Sequence, residues 1–137
     1  MSSVQAVCVG VITIDTIALV DKYPGEDERV LAEEIIRAGG GPAAVAAVAL
    51  SRLGIKSAIV GTIGDDADGK EVLRIFAQEG VDTSGISIGT TPTAGSVIVA
   101  SKEHSARAIS TRQPVTQAAM NDAAKKLIAS AQWVHVD

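Results

Sequence analysis

Hydrophobic and polar positions fall into alternating blocks along this chain. Val4 to Ile12 is an almost unbroken apolar run rich in β-branched residues, the pattern of a strand covered on both faces. Thr16 to Asp21 mixes apolar and polar residues and reads as a strand leaving the core, followed by a turn at Tyr23-Pro24-Gly25-Glu26. From Arg29 to Arg37, Val30, Ala32 and Ile35 stand among charges, which predicts an exposed strand. Pro42 to Leu53 reads as a helix of small residues with Gly54 as its stop. Ser57 to Ile63 is a second buried strand. Over Ala67 to Gln78 the apolar residues Val72, Leu73, Ile75 and Phe76 recur at helical spacing, and Gly80 ends that helix. Ala94 to Ser101 and Ala106 to Thr111 predict a hairpin around Lys102 to Ser105. Asn121 to Ala131 predicts a helix capped by Asn121 or Asp122, and Trp133 to Val136 a last strand. Strands alternating with helices predict an α/β fold with a largely parallel sheet flanked by helices. The segments near 16–21 and 29–37 interrupt that rhythm.

Composition narrows the class. With 137 residues the chain is one compact domain or part of one, and at 47% hydrophobic residues it is not a disordered segment. Tyr23, Phe76 and Trp133 are the aromatics, so the core must be built from Ala, Val, Ile and Leu. A net charge of −4 with no basic run argues against a nucleic-acid partner. Cys8 is the single cysteine, which rules out a disulfide framework and a paired-cysteine metal site, and its strand position predicts a buried residue. Met1-Ser2-Ser3 lacks the basic and apolar regions of a signal peptide, and no apolar run reaches transmembrane length, so no membrane partner and a cytoplasmic location are expected.

The candidate chemistry centres on Ala38-Gly39-Gly40-Gly41-Pro42 and the alanine-rich helix behind it. Pro42 suits the first helical position, and glycines ahead of it predict a mouth whose open N–H groups receive polar or anionic groups. Asp15 follows the first apolar strand, and the carboxyl ends of parallel strands are where such sheets bind ligands. A carboxylate there can accept hydrogen bonds from adjacent hydroxyls. Asp65, Asp66 and Asp68 form an acidic cluster; Asp66 and Asp68 precede a helix and read as its capping residues rather than as a metal site. Arg112 offers a planar fork for hydroxyls or anions. His104 lies in the hairpin loop and reads as exposed, and His135 reads as a core histidine. A rival pattern also fits: Gly39-x-Gly41-x-x-Ala44 with Asp65 about 20 residues on matches a dinucleotide fingerprint. That fingerprint needs a buried strand directly before the glycines, where Glu33-Glu34-Ile35-Ile36-Arg37 is charged.

Four stretches, taken in order, carry a resemblance: Val9-Gly10-Val11-Ile12-Thr13-Ile14-Asp15; Gly39 to Gly54; Ala58 to Gly69 with its Gly64-Asp65-Asp66; and Glu79-Gly80-Val81-Asp82-Thr83-Ser84-Gly85-Ile86. Together they resemble the N-terminal half of a PfkB-type carbohydrate kinase of the ribokinase-like superfamily. Asp21-Lys22-Tyr23-Pro24 and Trp133-Val134-His135-Val136 place it nearest the ketohexokinase and sulfofructose kinase branch. The resemblance covers nearly the whole chain and about half of such a kinase.

It implies a ribokinase-like sheet over 1–137, with a small β lid formed near 16–21 and 29–37. It also implies an activity, ATP-dependent transfer of the γ-phosphoryl group to a sugar hydroxyl. Asp15, Gly40 and Gly41 would bind the small-molecule sugar, with Arg112 beside them. The family places an asparagine where this chain has Val45, which leaves the identity of the sugar open. ATP and Mg2+ would serve the full-length enzyme. The Gly-Ala-Gly-Asp motif that supplies the base and phosphate donors is not found in these 137 residues. No catalytic residue and no bound cofactor is therefore expected here, and the chain alone is expected to be inactive. Related kinases pair through their lids, and Trp133–Val136 would present an open sheet edge, so a homodimer or larger species is expected. The alternatives are a non-catalytic, truncated sugar-binding or dimerising module, and the dinucleotide-binding domain above.

Overall fold

The computed structural model describes residues 4–112 and 116–137; residues 1–3 and 113–115 lie outside the described residues. The described residues form two four-stranded sheets. The base sheet runs β5 (Asp82–Gly89), β4 (Ser57–Gly64), β1 (Ala6–Val9), β8 (Trp133–Val136), all parallel. Helices α1 (Pro42–Arg52) and α2 (Ala67–Gln78) cover one face and α3 (Asp122–Ser130) the other. The second sheet, ordered β3 (Ala32–Gly40), β2 (Thr13–Val20), β6 (Gly95–Ser101), β7 (Ala106–Thr111), stands as the lid.

Strict alternation along the base strands divides the core. Cys8, Ile59 and Ile63 turn towards α1 and α2, where Ala43, Ala44, Ala47, Val72 and Phe76 meet them. Val7, Ala58 and Val60 turn to the other face, against Ala124, Leu127 and Ile128 of α3. Alanines on α1 let it lie close to the sheet, so the few aromatics are not missed. Cys8 is fully buried, and burial, followed by the charge of Asp137, pushes its thiol above the usual range. α1 ends as read: Gly54 takes φ +83, with its N–H on Ser51 O and that of Ile55 on Leu50 O. Among the described residues, no helix is long and apolar enough to cross a membrane.

The structure departs from the sequence reading in β5 and in the extent of the lid. β5 has no counterpart there: Asp82-Thr83-Ser84-Gly85-Ile86-Ser87-Ile88-Gly89 is polar because it is an edge strand, and Gly85 is required where a Cβ would fall within 3.0 Å of Val60. The lid is larger than two strands. β2 and β3 run over Thr13–Val20 and Ala32–Gly40, and the predicted hairpin is its other half, with β6 pairing parallel to β2. Among the described residues His135 is exposed on β8, an outer strand of the base sheet, as are Trp133 at 74% and Val136 at 67%.

α2 is held at its start. Asp66 is the N-cap, its Oδ1 accepting from Gly69 N at 2.8 Å and from Thr93 Oγ1 at 2.6 Å, while Oδ2 accepts from Thr93 N at 2.8 Å. Burial pushes this carboxyl up, but the bonds from Thr93 and Gly69 and the Arg112 charge outweigh it and hold it below its ordinary value. A depressed carboxylate stabilises the fold above the unfolded-state pKa and ceases to as pH falls through the folded one. Asp66→Ala would leave three donors unpaired, Thr93 being fully buried. It is expected to cost about 2–3 kcal/mol at neutral pH. The difference from wild type should shrink as unfolding is repeated below about pH 4, which urea titrations at several pH values will measure.

Candidate functional site

The site forms at the seam between lid and base. β2 carries Asp15 in register between Ala38 of β3 and Ser96 of β6. Asp15 Oδ1 accepts from Ser96 N at 3.1 Å, which fixes the carboxylate, and among the described residues nothing donates to Oδ2. Register also sets Thr13 opposite Gly40, so Thr13, Asp15 and Gly40 share one face of the lid. A Cβ on Gly40 would fall within 3.0 Å of both Asp15 Oδ2 and Thr13 Oγ1. Glycine is thus what leaves space beside these two oxygens. Thr13 Oγ1 is buried and has no hydrogen-bond partner among the described residues. Sequence reasoning missed it, although its spacing two residues before Asp15 on a strand was the available signal.

Gly41 makes the turn from lid to helix. Its φ of +94 is a conformation that favours glycine, and a Cβ would press into the backbone oxygen of Val11. Pro42 follows at the start of α1. The mouth predicted there is not fully open. Asp137, immediately after β8, turns its carboxylate onto it: Oδ2 accepts from Ala43 N at 2.6 Å and Oδ1 from Val11 N at 3.1 Å. A resident carboxylate already complements the positive end of α1, so an incoming anion meets a negative group. Asp137 was also missed; its signal is the one that picked out Asp15, an acid at the carboxyl end of an apolar strand.

Two cavities flank the seam. One, of about 380 Å³, lies over the carboxyl ends of β1, β4, β5 and β8 and is lined by Gly10, Gly61, Thr62, Gln117 and Asp137 among others. The other, of about 370 Å³, lies between α1 and α2 and is lined by Thr13, Gly40, Val45, Val48, Val72 and Phe76 among others. Val45 therefore gives an apolar wall to space adjoining Gly40, and it is 56% exposed.

Of the four predicted site residues, the structure brings Asp15, Gly40 and Gly41 together and sets Arg112 apart. Arg112 follows Thr111, which pairs with Ser96 beside Asp15, so Arg112 turns to the opposite face. There its Nη1 donates to Thr93 O at 3.0 Å and lies 3.8 Å from Asp68 Oδ2. Asp68 is also ion-paired with Arg37. With Asp66 capping α2 and Asp68 paired to arginine, the acidic cluster plays the capping and pairing part; among the described residues no three metal-ligating side chains converge. The dinucleotide reading fails on topology, because the strand before the glycines, β3, is an exposed edge of the lid, antiparallel to its neighbour.

Comparison with known proteins agrees with this architecture. A family model described as pfkB family carbohydrate kinase matches residues 4–137. Ketohexokinase of Mus musculus is 32% identical over 145 aligned residues, covering 100% of this chain and 47% of that protein. A crystal structure of fructokinase from Xylella fastidiosa superposes with a TM-score of 0.74 at 26% identity, covering 98% of this chain and 41% of the other. Ribokinase of Arabidopsis thaliana, complexed with ribose and ATP, has the same fold at a TM-score of 0.77 and 21% identity, over 98% of this chain and 45% of its own. The chain thus spans about half the length of the relatives it matches.

Proposed function

The chain belongs to the pfkB family of carbohydrate kinases, and from that premise we propose that it is the sugar-holding part of an enzyme transferring the γ-phosphoryl group of ATP to a sugar hydroxyl. The observation that carries the reading is the carboxylate of Asp15, held on one side by Ser96 N and, among the described residues, taking no donor on the other beside Gly40. A sugar hydroxyl donating to Asp15 Oδ2 is fixed in orientation, and the absent side chain of Gly40 lets the ring approach the backbone. Gly41 delivers the chain from that contact into α1. Thr13 Oγ1 supplies a second partner on the same face, and the lid excludes water from the transfer.

In this reading the base that takes the hydroxyl proton and the groups that hold ATP come from the remainder of the protein, and residues 1–137 alone bind sugar without turning it over. Among the described residues no three metal-ligating side chains converge, so in this reading Mg2+ would be held together with ATP by the remainder of the protein. Self-association in the cytoplasm is part of the proposal: the lid exposes Ile35, Ile36, Val97 and Ile109. The test is direct. Full-length protein given ATP and a panel of ketoses, aldoses and nucleosides should release ADP with one sugar class, followed by coupled assay. No sugar-dependent ADP across the panel would overturn the reading.

A further inference from the structure

Asp15 stands on the lid sheet, whereas α1 and Asp137 belong to the base. The width of the sugar site is therefore set by the angle at which the lid stands on the base. Next to the site the chain crosses between the two at residues 10–12 and at Gly41. Away from that seam, the lid is tied down by side chains at one helix end. Asp66 holds Thr93, just ahead of β6. Asp68, in the first turn of α2, pairs with Arg37 of β3 and also faces Arg112, one residue beyond β7. β3 and β7 are the two outer strands of the lid. One carboxylate thus takes hold of both margins of the sheet. It does so on the face away from Asp15, because Arg37 pairs with Thr16, one position along from the Asp15–Ala38 pair.

We propose that Asp68 is a positioning residue: it clasps Arg37 and Arg112 to the start of α2, fixes the lid angle, and so places Asp15 against the sugar. The inference rests on the assignment of the sugar to Asp15. The clasp has the strength a movable part needs. Asp68 is 21% exposed but both arginines are 50% exposed, so the attraction is modest and screened by salt. With the clasp broken, the lid spends part of its time at angles that leave Asp15 out of reach, and apparent affinity falls in proportion to the competent fraction. Once sugar is bound the lid is in place, and the transfer step is untouched.

In the full-length protein, Asp68→Asn is expected to raise the sugar KM roughly three- to fivefold, the range a screened ion pair supplies, with kcat unchanged. Asp68→Glu should restore KM. Raising KCl from about 50 mM to about 500 mM should raise the wild-type KM towards that of the variant and leave the variant flat. Arg37→Gln should add nothing in the Asp68→Asn background. Without sugar or ATP, amide exchange should quicken in β2, β3, β6 and β7 of Asp68→Asn and not in β1 or β4. Unchanged KM with unchanged exchange would overturn the proposal. So would a salt response that survives in Asp68→Asn, or kcat falling together with stability, which would mark Asp68 as a helix-stabilising residue only. If wild-type protein phosphorylates no sugar, the functional reading fails, and the exchange measurement still decides whether the clasp exists.

Discussion

A methyl group added at position 40 is expected to remove most of the sugar affinity while leaving the fold standing. The Cβ of Gly40→Ala would enter the space within 3.0 Å of Asp15 Oδ2 and Thr13 Oγ1. Neither side chain is long enough to step aside at no cost, so Asp15 must rotate and release Ser96 N. The carboxylate then no longer points where, in the proposed function, a sugar hydroxyl would donate. Gly40 itself does not have a positive φ, so alanine is tolerated by the backbone, and thermal unfolding should shift little. We expect affinity to fall on the order of tenfold to a hundredfold. Gly41→Ala is the counterpart with the opposite signature. There φ is +94 and the obstruction is the Val11 backbone, which cannot move without displacing the β1–β2 connection. That variant should lose more than about 2 kcal/mol of stability. Calorimetric titration of the full-length variants beside their melting curves separates the two. Wild-type affinity in Gly40→Ala would remove Gly40 from the site.

How much of this was legible beforehand depended on the range over which each feature is determined. α1 and α2 were read to within a residue because their signals are local: Pro42 at the first turn, Gly54 as stop, Asp66 capping Gly69 three residues on. β5 was not legible, because a polar edge strand is defined by its pairing with β4 and not by its own pattern. Nor could the hairpin be assigned to the lid, since its membership rests on the parallel register of β6 with β2, some 80 residues apart (Asp15 opposite Ser96). Asp15 and Gly40 were named on strand-end chemistry and resemblance; what the structure adds is their register and an Oδ2 to which no described residue donates. Asp137 on Ala43 N joins positions 94 apart, and no local rule finds such a cap. Arg112 was offered as a fork beside the sugar on residue type and resemblance; in the structure strand alternation turns it to Asp68 and Thr93, a placement that no local pattern carries.

Asp15→Asn is the variant with the largest expected effect on function. The amide keeps the shape of the side chain, and its oxygen can still accept from Ser96 N in place of Oδ1. What changes is the other position, where an NH2 donor replaces Oδ2. Sugar hydroxyls that donated there lose a charged acceptor and face a donor instead. Loss of charge-assisted bonds in a part-buried site is worth about 2–3 kcal/mol, so affinity should fall roughly thirtyfold to more than a hundredfold, with kcat/KM falling in step. Stability should hardly alter. Asp15→Ala should lose the same sugar affinity and additionally leave Ser96 N without its partner, lowering the melting temperature modestly. The pair of variants distinguishes two roles for one carboxylate. If Asp15 serves only to pin β2 to β6, asparagine rescues what alanine loses, and sugar affinity measured by calorimetry stays at the wild-type value in Asp15→Asn. If Asp15 holds the sugar, asparagine rescues the fold and not the binding. Equal, wild-type sugar affinity in both variants would take the sugar away from this strand altogether.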